Sequence, residues 1–218
     1  MQKLFVSALC LLGSLTSMSQ DCKCPSGAPE GAEMIGTYNF PGGNALGVCG
    51  YSTVEAADTT YTKFALYRCG DDKIIEQWGV NISCKLERTK DALLIKEMYN
   101  LPVGQSFSNL WRPFYVHQFK FEGGKVSETE YYDKHLPKYT KAQIAEVIRQ
   151  YNELPKEGSE QTMKVANMLF WATVSGSKET EGYLKTIPGK YAPFSEALNT
   201  EWTDVNGRYE QWKRNPNK

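Results

Sequence analysis

The hydrophobic pattern of this 218-residue chain changes its period near residue 136. Before that point, apolar and polar side chains alternate, as they do in strands, around residues 45–54, 62–69, 73–87, 92–98, 111–121 and 126–132. After it, apolar residues return every three or four positions, which is the spacing of one helix face. Because strands and helices are segregated along the chain, we expect an α+β protein with an antiparallel sheet over residues ~34–132. The chain divides into a β-rich part, residues 20–136, and a helical part, residues 137–218, which form either one domain or two.

The helical part is predicted to form a bundle of about four helices that packs against the sheet. Thr140 and Gln143 have the spacing of a capping box, in which each side chain binds a backbone N–H of the first turn. The third helix, from about residue 178, should end at Pro188 because proline interrupts helical hydrogen bonding. The last helix carries an apolar seam of Leu198, Trp202, Val205, Tyr209 and Trp212.

Two strand-like runs carry a polar side chain on a face that is otherwise apolar. In the first run, the residues expected to face the core are Ile74, Glu76, Trp78, Val80, Ile82, Cys84 and Leu86. This run is long for one strand, so Gly79 is a candidate for a bulge or a bend. In the second run, His117 shares a face with the aromatic side chains of Tyr115, Phe119 and Phe121. Gly123 and Gly124 follow this run and predict a hairpin turn.

Residues 1–19 have the pattern of a cleaved secretory signal peptide. Lys3 gives a positive start, residues 4–14 are mostly apolar, and small residues at Ser17 and Ser19 resemble a cleavage site. The apolar stretch is shorter than the about 20 residues that cross a bilayer. We therefore expect an exported protein, periplasmic or extracellular in a bacterial envelope, with no membrane span in the mature chain.

Removal of this segment takes Cys10 away and leaves five of the six cysteines: Cys22, Cys24, Cys49, Cys69 and Cys84. All five precede the helical part, so in an oxidising compartment they predict a disulfide-stapled sheet with one thiol left over. Among the arrangements that the sequence allows, we favour Cys69–Cys84, the closest pair that can span a hairpin. Cys49 would then pair with Cys22 or Cys24.

Charge and motifs exclude several function classes. Without Lys3 the chain carries 24 Lys and Arg (25 − 1) against 25 Asp and Glu, a net charge of about −1. A nucleic-acid partner is not expected, because phosphates require a concentrated basic surface. The sequence contains no Gly-x-Ser-x-Gly, His-Glu-x-x-His or phosphate-loop motif. With two histidines in the chain, we predict neither a metal nor a cofactor.

Three residues are candidates for catalysis: Glu76, His117 and His135. Glu76 on an apolar face could serve as a general acid or base, unless a bulge or an ion pair turns it outward. His117 is either a pocket base or ligand near Glu76, or a core histidine bonded to a backbone carbonyl. His135 alternates with Asp133 at the junction of the two parts, but two ligands do not make a zinc site.

The candidate binding site is formed by Trp111, Arg112 and Tyr115. Aromatic and arginine side chains dominate protein recognition, and exposed rings also stack on sugars. The structural alternative is a strand that enters the sheet with Pro113 at its edge.

Three functions fit these features. The first is non-catalytic recognition of an envelope or extracellular protein through the Trp111–Tyr115 region or the helical face. The second is a module that binds carbohydrate or another small ligand on the aromatic rings of the sheet. The third is a hydrolase-type enzyme that uses Glu76 with His117 or His135. The few ionisable groups available for a catalytic constellation favour the first.

Overall fold

The computed structural model describes residues 22–55 and 58–214, and the predicted signal peptide, residues 1–19, lies outside them. Within the described residues, an eight-stranded antiparallel sheet is followed by four helices. The α+β prediction, with strands and helices segregated along the chain, is therefore confirmed.

Most of the eight strands pair with their neighbours in the sequence, but β5 pairs with β3 rather than with β4. Their bounds are β1 (Glu33–Asn39), β2 (Ala45–Glu55), β3 (Asp58–Arg68), β4 (Ile74–Trp78), β5 (Ser83–Arg88), β6 (Leu93–Leu101), β7 (Leu110–Glu122) and β8 (Lys125–Tyr132). The sheet order is β1-β2-β3-β5-β6-β7-β8, and β4 pairs with β3 beside this path. The sequence pattern did not predict β1, which forms by pairing with β2.

The long run from Ile74 forms two strands because a turn at Val80 and Asn81 separates them. Trp78 on β4 pairs with Phe64 of β3, and Cys84 on β5 pairs with Tyr61 of the same strand. Trp78 and Cys84 are buried, as predicted. Glu76, however, is exposed, so its predicted position in the core is wrong. The reason is that β4 pairs with β3 alone among the described strands, so no strand covers the other edge of β4 and Glu76, in the middle of this strand, is open to solvent.

The hairpin of β7 and β8 is confirmed. Gly123 and Gly124 connect the two strands with φ values of +58° and +79°. These are left-handed conformations, which glycine adopts without the steric cost of a Cβ atom. The register pairs His117 with Glu130 and Phe119 with Glu128.

The helices are α1 (Lys141–Asn152), α2 (Glu160–Val174), α3 (Lys178–Tyr191) and α4 (Glu196–Arg214). The capping box of α1 is present: Gln143 N donates to Thr140 Oγ1 (3.3 Å), and Thr140 N donates to Gln143 Oε1 (2.9 Å). The predicted end of the third helix at Pro188 is wrong, because α3 continues to Tyr191. Ile187 and Tyr191 are buried in the helical core, and this packing holds the last turn. None of the four described helices is both long and apolar enough to cross a membrane.

Two hydrophobic cores form the interior. The sheet core lies within the β-rich part and includes Phe64, Trp78 and Phe119. The junction core joins the end of the sheet to the helices, where the ring of Phe114 lies 5.9 Å from Phe170 and 6.0 Å from Trp171. Strands and helices therefore bury part of their apolar surface against each other.

The disulfides are Cys22–Cys69 and Cys24–Cys49, with Cα–Cα distances of 4.8 and 5.7 Å. The expectation that Cys49 pairs with Cys22 or Cys24 is confirmed, whereas the preferred Cys69–Cys84 bridge is wrong. Cys84 is a buried free thiol. It pairs with Tyr61, eight residues along β3 from Cys69 (69 − 61). Eight residues of strand span roughly 26 Å, whereas a disulfide requires Cα atoms within about 7 Å.

Candidate functional site

The structure separates the three predicted binding residues. Trp111 is 51% exposed at the start of β7, and its neighbour Arg112 is exposed as well. Tyr115 is buried in the junction core, where its hydroxyl donates a hydrogen bond to Glu130 Oε2 (2.7 Å). Trp111 alone of the three lines a cleft, which we call the Trp111 cleft.

The Trp111 cleft has a volume of about 390 Å³ and lies between the sheet and the helices α2 and α4. Its apolar wall includes Trp111 and Met98. Its polar lining consists of amides, carboxylates and a guanidinium: Asn81, Asn100, Asn109, Asn167, Glu201, Asp204 and Arg208. Exposed rings and several convergent polar groups are the usual composition of a small-ligand site.

Arg208 is the fixed cation of this cleft. It is buried, its Nη2 donates to Asn167 Oδ1 (2.7 Å), and it forms an ion pair with Asp204 Oδ2 (2.9 Å). The guanidinium also lies over the rings of Tyr99 and Phe170. Burial lowers the pKa of Arg208, and the charge of Asp204 partly opposes this effect. A guanidinium stays charged in proteins, so the cleft has a permanent donor group whose orientation is set by packing.

The second cluster surrounds His117, which is 8% exposed. Its Nε2 lies 3.0 Å from Glu97 Oε1 on β6, and its Nδ1 lies 2.9 Å from Glu128 Oε1 on β8. Glu130 Oε1 is 3.6 Å from the same Nδ1. Strands β6 and β8 thus place three carboxylates around the imidazole on β7, between them, and we call these four residues the His117 cluster.

The surroundings of His117 explain the direction in which its pKa is shifted. Burial between Trp78 and Tyr115, whose rings lie 5.3 and 5.2 Å away, disfavours the imidazolium. The hydrogen bonds and charges of Glu97 and Glu128 outweigh this cost and raise the pKa of His117. His117 is buried and hydrogen-bonded, as the core-histidine alternative expects, but its partners are carboxylates rather than a backbone carbonyl.

The proposed catalytic pairs are not brought together in the described residues. Glu76 is exposed on β4, and neither histidine forms a hydrogen bond or ion pair with it. His135 is exposed after β8, where its backbone N–H donates to Asp133 Oδ1 (2.7 Å). That hydrogen bond forms a local turn rather than a ligand pair.

Sequence reasoning missed most members of both groups. Glu128 and Glu130 alternate along β8, so the Gly123-Gly124 turn and the strand period together would have placed Glu130 opposite His117. Glu97 has a weaker signal, since it continues the inward face of Leu93 and Ile95 on β6. Arg208 lies in a helix among polar residues, and no local pattern predicts its burial.

No family model matches this chain, and no curated protein or solved structure is significantly similar to it.

Proposed function

We propose that this is an exported, non-catalytic binding protein that takes a carbohydrate ligand into the Trp111 cleft. The observation that carries the proposal is the combination, in one cleft, of an exposed indole with an orienting set of amide, carboxylate and guanidinium groups. The two disulfides support export, because such bonds persist in oxidising compartments.

The indole of Trp111 provides the apolar contact that a sugar requires. Half of this side chain is open to solvent, although tryptophan is a residue that proteins usually bury. The C–H face of a pyranose ring is the part of a sugar that can cover such a surface. Trp111 pairs across the strands with Asn100, so the ring and an amide lie side by side.

The polar lining matches the hydroxyl groups of a sugar. Asn amides offer both donors and acceptors, and Glu201 and Asp204 offer acceptors. Arg208 adds a donor that is held in place by Asn167 and Asp204. A volume of about 390 Å³ falls within the range of small-ligand pockets, which favours one or two sugar rings over a long glycan.

The test is a binding screen with a panel of soluble mono- and disaccharides, followed by calorimetry on those that bind. Trp111→Ala should weaken binding by about tenfold or more, which corresponds to ~1.4 kcal/mol. Leu110→Ala is the matched control, since Leu110 is the exposed neighbour of Trp111 and does not line the cleft. Equal affinity of the Trp111→Ala variant and the wild type would refute the cleft as the site.

Recognition of an envelope or extracellular protein is the second candidate, and one observation favours it. Leu110 and Trp111 are adjacent in sequence and are 37% and 51% exposed. Tryptophan is enriched among the residues that carry binding energy at protein interfaces, and exposed apolar patches mark such interfaces. In a pull-down from envelope extract, a protein partner that depends on both side chains would be lost with either Leu110→Ala or Trp111→Ala. A sugar ligand would depend on Trp111 alone, so the two variants distinguish the candidates.

A further inference from the structure

We propose that His117, Glu128 and Glu130 bind one divalent transition-metal cation, which His117 coordinates through Nδ1. This site departs from the sequence-based expectation that the chain binds no metal. None of its three ligands lines the Trp111 cleft, so it is independent of the proposed carbohydrate site.

The donor atoms already have nearly the spacing of a metal centre. Nδ1 of His117 lies 2.9 Å from Glu128 Oε1 and 3.6 Å from Glu130 Oε1. One donor atom from each of the three residues lies within 4.8 Å of the other two. Around a tetrahedral zinc ion with bonds of about 2.0–2.1 Å, neighbouring ligand atoms are about 3.3–3.5 Å apart. The two separations from Nδ1 differ from these values by a few tenths of an ångström. The two carboxylate donors, which lie within 4.8 Å of each other, would approach by at most about 1.5 Å to complete the coordination.

Glu97 orients the imidazole for this role. Its Oε1 lies 3.0 Å from Nε2 of His117, while its Oε2 accepts a hydrogen bond from the Tyr99 hydroxyl (3.0 Å). Glu97 is itself buried, so both of its oxygens are engaged within the protein. A carboxylate bonded to the distal nitrogen is the arrangement that directs a metal-ligating histidine and increases its basicity. Glu97 is therefore a positioning residue: it holds Nε2 of His117, and Nδ1 is the nitrogen that coordinates the cation.

The surroundings of Glu130 support the same assignment. Tyr115 donates to Glu130 Oε2, which holds this carboxylate and leaves Oε1 on the His117 side. The hydroxyl of Tyr132, which is 7% exposed, has no hydrogen-bond partner among the described residues. Tyr132 follows Glu128 and Glu130 along β8 at the two-residue spacing of one strand face, and buried hydroxyls normally have a polar partner.

The donor set indicates the kind of cation. One imidazole nitrogen with two carboxylate oxygens suits Zn²⁺, and Mn²⁺ less strongly, whereas Ca²⁺ prefers oxygen ligands throughout. The side chains of Glu128 and Glu130 are 31% and 45% exposed, so an ion can reach them from solvent. Three protein ligands would leave a fourth position for water.

The presence of two histidines in the chain makes the test direct. The full chain, without a histidine tag and after removal of metals by a chelator, is labelled with ¹⁵N and titrated with Zn²⁺. We expect the Nδ1 resonance of His117 to shift up to one equivalent of metal, while both nitrogens of His135 stay unchanged. A response of His135 without one of His117 would overturn the proposal.

Calorimetry with Zn²⁺ tests the carboxylates. Glu128→Gln/Glu130→Gln should weaken Zn²⁺ binding by about 100-fold, and Glu97→Gln by about 10- to 100-fold, the range found for outer ligand partners. The control is Glu122→Gln/Glu157→Gln, which removes the same charge from two exposed carboxylates elsewhere and should bind like the wild type. Circular dichroism verifies that each variant is folded. If the Glu128→Gln/Glu130→Gln variant and the wild type bind Zn²⁺ equally, the assigned ligands are wrong.

Discussion

The β-rich part and the helical part of this protein are stabilised in different ways. Residues 22–69 contain two disulfides that connect the start of the described chain to β2 and to the end of β3. The helical part contains no cysteine. Its helices begin with side-chain caps at Thr140, Ser159 and Ser177, and carry exposed ion pairs such as Arg149–Glu146.

This difference follows from the kinds of contact that each part can make. Strand pairing joins residues that are further apart in sequence than the contacts within a helix, so its formation costs more chain entropy. Disulfides lower this cost because they restrict the conformations of the unfolded chain. Helical contacts are mostly local and need only caps and a buried face. Charged groups follow the same division: the sheet holds a buried imidazole among carboxylates, whereas the described helices place most of their ion pairs on the surface.

The largest expected effect tests whether the two parts unfold together. Phe114→Ala removes a fully buried ring that contacts Phe170 and Trp171 across the junction core. We expect the free energy of unfolding to fall by about 3–5 kcal/mol. Amide hydrogen exchange should show equal losses of protection in β7 and α2. If β7 loses protection and α2 retains it, the two parts are separate domains.

Loss of a disulfide should have a somewhat smaller effect. Cys24→Ala/Cys49→Ala opens a loop with a sequence separation of 25 residues. The chain-entropy estimate for such a loop is about 3–4 kcal/mol, measured as a lower urea midpoint. Cys84→Ala is the control, since it removes a buried sulfur without opening a bridge and should cost about 1 kcal/mol. Equal losses for the two variants would mean that the bridge adds nothing beyond packing.

The smallest effect concerns the surface charges of the helices. Hydrogen bonds from Arg149 and Gln150 lower the pKa of Glu146 from 4.5 to about 2. A lowered pKa in the folded state contributes stability above pH ~4.5, and this contribution is lost as the pH falls towards 2. Glu146→Gln should therefore be slightly less stable than the wild type at pH 6, and the difference should disappear near pH 2. Thermal unfolding at both pH values measures this, and a constant difference would contradict the assignment.

Prediction from sequence succeeded where a structure depends on neighbouring residues. The capping box at Thr140, the glycine turn of the β7–β8 hairpin and the alternation of strands before helices all follow from local geometry. The errors occurred where a distant partner decides the outcome. Pro188 is tolerated in α3 because its last turn is packed, and Glu76 is exposed because β4 lies beside the main path of the sheet.

The candidate sites show the same division. Trp111 and His117 were identified from the sequence because an aromatic pair with arginine, and a histidine on an apolar face, stand out locally. Their partners lie on other elements. Glu97 on β6 and Glu128 and Glu130 on β8 surround His117, and Arg208 on α4 lines the same cleft as Trp111. Residue types alone did not indicate which carboxylate would meet which nitrogen.

By itself, the amino-acid sequence determined that strands precede helices and the type of most elements, because side-chain period, caps and turn residues act over a few positions. It also determined that the disulfides lie in the β-rich part, since the cysteines outside the predicted signal peptide occur only there. The tertiary structure alone decided which cysteines pair, which polar residues are buried and which side chains meet around His117 and Trp111. These outcomes depend on strand register and on helix packing against the sheet, and both are set by contacts between residues far apart in the chain.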